Sequence, residues 1–250
     1  MKKFFASVAL CLAALSASAA EYPAVLAWKQ RVVLSTPVSG VVTSVPAVAG
    51  ERVREGQVLV QLDKRPFESA LRKAEAQAHK YRLNREEAKR ELQRTRELYE
   101  RTVISVHDLQ VGEIAFASAD ADYASARAEL ETAQLHLGYA TVQAPFAGLV
   151  LEVSVAPGET VVNTQQATPM VTLARDRPMT ARARVPAEAA GALSPGQSAT
   201  VKVDGKTYPA KVVQIGAEAD ASGRYELTVS FDPGDAALRA GLPASIDTGH

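Results

Sequence analysis

The amino-acid sequence predicts an α+β fold in which a long antiparallel helical hairpin is inserted into a β-sandwich split in two along the chain, with a small β-domain after it. Three observations carry this. Residues 36–53 reappear in altered form at residues 144–161; the stretch between the copies has a helical heptad rhythm; and short alternating strands follow from about residue 174.

The first twenty residues read as a secretory leader. Lys2 and Lys3 precede an apolar run from Phe4 to Leu15, and small residues from Ser16 to Ala20 lead to Glu21. Cleavage is expected near Ala20. The 12-residue run is well short of the roughly 20 apolar residues that span a bilayer, so an anchor is disfavoured. Cys11 follows Leu10, where a lipid-attachment box wants a small residue, and cleavage would leave a chain without cysteine that relies on packing alone. Residues 21–35 are expected to form an N-terminal strand segment.

In the split repeat, TPVSGVVTSVPAVAGERV at 36–53 aligns with APFAGLVLEVSVAPGETV at 144–161 at a constant offset of 108 residues. Pro37, Gly40, Val42, Val45, Gly50, Glu51 and Val53 fall on Pro145, Gly148, Val150, Val153, Gly158, Glu159 and Val161. Second apolar runs follow at Val58–Leu62 and at Met170–Leu173. Each copy, of about 27 residues, is too small to bury a core alone, so the halves at 36–62 and 141–173 are expected to close on each other.

Residues 63–140 form the insert. Gly112 is the only glycine between Lys64 and Leu137, and Pro66, the only proline, suits a first helical turn. Phe67, Leu71, Ala74, Ala78, Tyr81, Arg85, Ala88, Leu92, Thr95 and Tyr99 alternate steps of four and three residues, as in a coiled-coil seam with one charged member, Arg85. After a break at Thr102–Ile104 the rhythm returns from Leu109 to Leu137. Folding the helices together pairs positions whose numbers sum to 204, such as Leu92 with Gly112; a slip of seven residues, setting Leu92 against Ser105, stays open. Residues 64–101 carry net charge +5 and residues 105–138 carry −5, which orients the helices or neighbouring subunits more than it stabilises them.

Beyond residue 174, strands are expected at Thr180–Val185, Ser198–Val203, Ala210–Ile215, Tyr225–Phe231 and Ala244–Asp247, with turns at Pro195-Gly196 and Asp204-Gly205.

Composition narrows the function. With 28 basic and 28 acidic residues there is no basic excess to track a nucleic-acid backbone. No GxSxG, P-loop, GxGxxG or HExxH pattern occurs, so neither catalysis nor a cofactor is expected. His79, His107, His136 and His250 are scattered, and Met170 and Met179 are too few for a soft-metal cluster, so no metal site is expected.

The order of these parts resembles the periplasmic adaptors, or membrane fusion proteins of the HlyD type, that serve bacterial tripartite efflux pumps of the resistance-nodulation-division (RND) kind. TVQAPFAGLV at Thr141–Val150 resembles that family's re-entry strand. The resemblance implies a split lipoyl-like domain at 36–62 and 141–173, the hairpin at 63–140, and a β-barrel domain at 174–250 with a membrane-proximal domain absent or reduced. It also implies a hairpin tip that meets the outer-membrane channel through an Arg, a Leu four residues on and a Ser seven further, here Arg94, Leu98 and Ser105. The plain alternative is a solvated Arg, a packing Leu and a helix cap. The implied protein is a periplasmic, non-catalytic conduit peripheral to the inner membrane. Its partners would be a proton-driven inner-membrane transporter, an outer-membrane channel and copies of itself, as a hexamer. An ATP-driven exporter or type I secretion system is the alternative partner. A lipoyl or biotinyl carrier fits worse, because no lysine lies between Arg31 and Asp63 or between Thr141 and Leu173. A freestanding coiled-coil scaffold is the remaining reading.

Overall fold

The computed structural model describes residues 21–163 and 166–249. The expected leader, with its cleavage point and Cys11, and His250 lie outside the described residues. The elements in chain order are β1 (Glu21–Leu34), β2 (Gly40–Ser44), β3 (Arg52–Val53), β4 (Val58–Leu62), α1 (Arg65–Glu100), α2 (Val106–Tyr139), β5 (Thr141–Gln143), β6 (Gly148–Val153), β7 (Thr160–Val161), β8 (Val171–Pro186), α3 (Ala187–Ala192), β9 (Ser198–Val203), β10 (Lys206–Ala219), β11 (Arg224–Phe231) and β12 (Pro243–Asp247). This is the α+β class that the sequence predicts. Two compact units divide the described residues, one within residues 32–174 and one that joins residues 21–31 to residues 175–249.

In the first unit the two halves of the repeat interlock. β2 pairs with β7 through Gly40↔Val161, and β3 pairs with β6 through Val53↔Gly148. Those pairings exchange roles under the 108-residue offset, so the copies are related by a local twofold. The loop hydrogen bonds obey it too. Val42 N–H donates to Glu159 O at 2.8 Å and Val150 N–H to Glu51 O at 2.9 Å, while Gly158 and Gly50 N–H donate to Val42 and Val150 O, each at 2.8 Å. Gly50 and Gly158 take φ of +87° and +89°, which a side chain adopts only under strain. The core is drawn from both copies: Val42, Leu59 and Leu62 pack with Val150, Val161 and Leu173, all essentially fully buried. Neither half could bury these alone.

The hairpin leaves this module between β4 and β5. Its base is closed by Leu62 N–H donating to Ala140 O at 2.8 Å and by the buried Thr36 hydroxyl donating to Tyr139 O at 2.8 Å. At 36 and 34 residues, α1 and α2 are each about 50 Å long at 1.5 Å per residue. Ala78, Leu92, Ala126 and Ala133 are its buried residues. A Cβ placed on Gly112 would lie 3.7 Å from Leu92 Cδ1, so Leu92 faces Gly112 and the structure adopts the register that sums to 204 and not the slipped one. Two expectations need correction. Tyr99 is 41% exposed beside a half-buried Leu98, because position 99 lies level with the turn before α2, where no helix remains to pack on. Phe67 packs against the core of the β-module, its Cε2 3.9 Å from a Cβ placed on Gly40.

The second unit is a barrel. Strands run in the order β1-β12-β9-β10-β11-β8, and a β1–β8 pairing closes it. The N-terminal strand lies along the C-terminal one, with Glu21↔Asp247 through Val25↔Pro243 in register. Leu26, Met179, Val185, Val201, Leu227 and Ile246 fill the interior. Asp204 and Gly205 have φ of +47° and +73°, the two positive values that a two-residue hairpin between β9 and β10 needs. The one-and-a-half-turn helix α3 has no counterpart in the sequence reading, since six residues are too few to show a helical period.

Candidate functional site

The far end of the hairpin is built from two helix termini. α1 stops in a Schellman-type turn: Thr102 N–H donates to Tyr99 O at 2.9 Å and Val103 N–H to Leu98 O at 3.0 Å. Thr102 takes φ +59°, a left-handed value that is costly for a β-branched residue. α2 starts at once behind it with a capping box. Asp108 N–H donates to Ser105 Oγ at 3.2 Å, and Ser105 N–H returns a bond to Asp108 Oδ2 at 3.0 Å. The Ser105 hydroxyl also donates to that carboxylate at 2.6 Å. These bonds, the hydroxyl's first, hold the Asp108 carboxyl below its ordinary range.

Arg94 and Leu98 occupy successive turns of α1 near this end. Arg94 is exposed and ion-paired with Glu91 one turn back, whereas Leu98 is half-buried beneath the turn. Ser105 is exposed but committed to its cap. The residues the pattern singled out thus lie at one end of the rod, where Arg94 presents its guanidinium outward in an exposed ion pair with Glu91.

Sequence reasoning missed a group beside them. Val103, Val106, Val111 and Ile114 are 65, 55, 52 and 69% exposed, an uncovered apolar collar around the tip and first turns of α2. The available signal was their position off the heptad seam, where an apolar residue finds no partner within the hairpin.

Among the described residues no cluster of His, Cys, Asp and Glu could hold a metal ion. His79, His107 and His136 are all exposed. Among them, too, no helix is long and apolar enough to cross a membrane.

Comparison with known proteins agrees with this architecture. Residues 30–172 match the model of the CzcB-like, barrel-sandwich hybrid domain. The macrolide export protein MacA of Escherichia coli O157:H7 is 30% identical over 190 residues, which cover 70% of this chain and 51% of that protein. The efflux pump periplasmic linker BepD of Brucella suis is 32% identical over 141 residues, 55% of this chain and 35% of that one. The chain therefore spans about half the length, or less, of these two relatives. The membrane fusion protein Spr0693 of Streptococcus pneumoniae R6 shares the fold, with a TM-score of 0.70 at 17% identity over 91% of this chain and 97% of that one. The split, interlocked β-module, the helical hairpin that leaves it and these matches together make this chain a member of the membrane fusion, or periplasmic adaptor, family of efflux pumps, carrying that family's CzcB-like barrel-sandwich hybrid domain.

Proposed function

We propose that this chain is a non-catalytic periplasmic adaptor, linking an inner-membrane efflux transporter to an outer-membrane channel as an oligomeric conduit. One observation carries the reading: a rod about 50 Å long is held by its base in the interlocked β-module and ends in an uncovered apolar collar beside Arg94. Arg94 supplies the charged contact to the channel and Val103, Val106 and Ile114 the apolar ones. Leu98 and Ser105 act by shaping the turn that presents them. The barrel unit faces the inner membrane, where the transporter supplies the energy. Relatives named for macrolide export and for an efflux pump support export as the direction of transport.

The test changes the tip without touching the fold. Arg94→Asp and Val103→Asp should each abolish copurification of an outer-membrane channel and lower drug resistance at least tenfold, with helicity by circular dichroism unchanged. Retained copurification and resistance in both variants would leave a freestanding scaffold. The transporter that copurifies settles the energy source: a proton-driven carrier is expected, and an ATPase subunit in its place assigns the chain to the ATP-driven class.

A further inference from the structure

We infer that the outer face of the barrel unit, where β1, β8 and β11 run side by side, is a seat for the phosphate headgroup of an anionic membrane lipid. The inference rests on the reading that turns this unit toward the inner membrane, and it names a ligand there that is not a protein.

Strand alternation builds the face. On β8 the buried Ala183 and Val185 alternate with the outward Arg182 and Arg184, and on β11 the buried Leu227 follows the outward Glu226. The register sets Glu226 opposite Arg184 and Arg224 opposite Pro186. On the other side of β8, β1 turns out Pro23 and Val25, the latter 52% exposed. Together they form a shallow cleft of about 410 Å³ that holds three guanidinium groups, one carboxylate and an apolar strip.

The guanidinium groups are largely unspent. Arg182 Nε stands 3.7 Å from Glu226 and Arg184 Nε 3.3 Å from Asp220, and neither makes a hydrogen bond. Asp220 spends its other oxygen on its own turn, accepting from Ser222 N–H at 2.8 Å, the Ser222 hydroxyl at 2.6 Å and Arg224 N–H at 3.2 Å. Among the described residues the Arg224 guanidinium has no carboxylate partner. The planar fork of each matches a phosphate bidentately. Residue choice follows the same line: every cation of β8 and β11 is an arginine, and every cation of β9 and β10 is a lysine. Solvation does not distinguish the two, whereas bidentate contact with phosphate does.

The surface suits a lipid better than an acidic peptide strand. Each of the three strands is paired on both sides, so no edge is open to strand addition. Exposed valine and proline beside arginines are instead what enters a membrane interface, the apolar groups meeting hydrocarbon while the cations stay with the headgroups.

Cosedimentation with vesicles tests this. The purified chain should bind vesicles of equal parts phosphatidylglycerol and phosphatidylcholine at least tenfold more tightly than vesicles of phosphatidylcholine alone. Arg182→Gln/Arg184→Gln/Arg224→Gln should abolish that preference. Lys202→Gln/Lys206→Gln/Lys211→Gln removes the same charge from β9 and β10 and should weaken binding less than twofold. Glu226→Gln should bind about fivefold more tightly, the effect of one unit of charge at an anionic surface and a gain that misfolding cannot imitate. Equal losses in the two triple variants, no gain in Glu226→Gln, or equal binding to both vesicles overturns the lipid seat. Full release by millimolar inorganic phosphate would make the free anion the ligand, and loss of a copurifying transporter with vesicle binding intact would give the face to an acidic protein; either also overturns it. Channel and transporter copurification is read on the same variants, so a lipid seat that fails while both partners are retained leaves the adaptor reading standing.

Discussion

Gly40 and Gly148 occupy equivalent places in the repeat, yet the structure requires glycine at only one. A Cβ on Gly148 would lie 2.2 Å from Ala174 O, because β6 is flanked by β3 on one side and β8 on the other. A Cβ on Gly40 would meet nothing closer than Leu62 Cδ1 at 3.4 Å. Gly148→Ala should therefore cost about 3 kcal/mol or more, at the upper end for overpacking, while Gly40→Ala should stay within about 1 kcal/mol. Thermal unfolding of the two variants checks this, and equal losses would refute it. The repeat marked both positions; which one tolerates a methyl depends on the backbone beside it. Asp108 yields a pH prediction. Its carboxyl is held below the ordinary range by Ser105, so the cap stabilises α2 fully above the unfolded value of about 3.9 and loses that contribution as pH falls through the folded value. The difference in melting temperature between the natural chain and Asp108→Asn should be largest near neutral pH and shrink as the pH falls below the unfolded value and through the folded one.

At the scale of the element, the hairpin shows how a heptad pattern becomes a unique register. Arg85 is the charged member of the α1 seam; it pairs with Asp120 and sets its guanidinium 5.9 Å from the Phe116 ring centre and 5.7 Å from that of Tyr123. The slipped register would take Arg85 away from Asp120 and Tyr123 and leave only Phe116 within a turn of it. A polar residue in a seam specifies alignment at some cost in stability, and here the aromatic contacts offset part of it. Arg85→Ala should destabilise the hairpin by about 1–2 kcal/mol and Asp120→Ala by about half as much, since the second leaves the aromatic contacts in place. Denaturant unfolding followed at 222 nm decides the order, and a larger effect at Asp120 would show that the ion pair dominates. The opposite net charges of the helices act less directly than the sequence suggests. Arg85–Asp120 and Arg96–Glu113 cross between them, but Arg82–Glu86, Arg90–Glu87 and Arg94–Glu91 stay within α1.

For the molecule as a whole, the rod is a length as much as a surface. Residues 71–77 and 127–133 lie at the same height, so deleting both should remove one heptad from each helix and shorten the rod by about 10 Å with its seam intact. The doubly deleted chain should keep native helicity per residue and lose channel engagement, whereas deleting either heptad alone should disrupt the seam from that point to the turn. Limited proteolysis and copurification distinguish the outcomes. A doubly deleted chain that still engages the channel would show that reach is not what the hairpin supplies.

Much of this design is written in the chain itself. The split repeat, the heptad steps from Phe67 to Leu137, the cap at Ser105 and the turn at Asp204-Gly205 are local or periodic signals, and periodicity survives in one dimension because each residue faces its partner's side at a regular interval. Other features exist only once distant segments meet. The choice of register, the exposure of Tyr99, the clash that makes Gly148 obligatory and the exposure of Val103 and Ile114 all depend on what stands opposite. A neighbour brought in from a hundred residues away leaves no trace in the local pattern, so tertiary packing alone decided which of these side chains were covered and which were left facing outward.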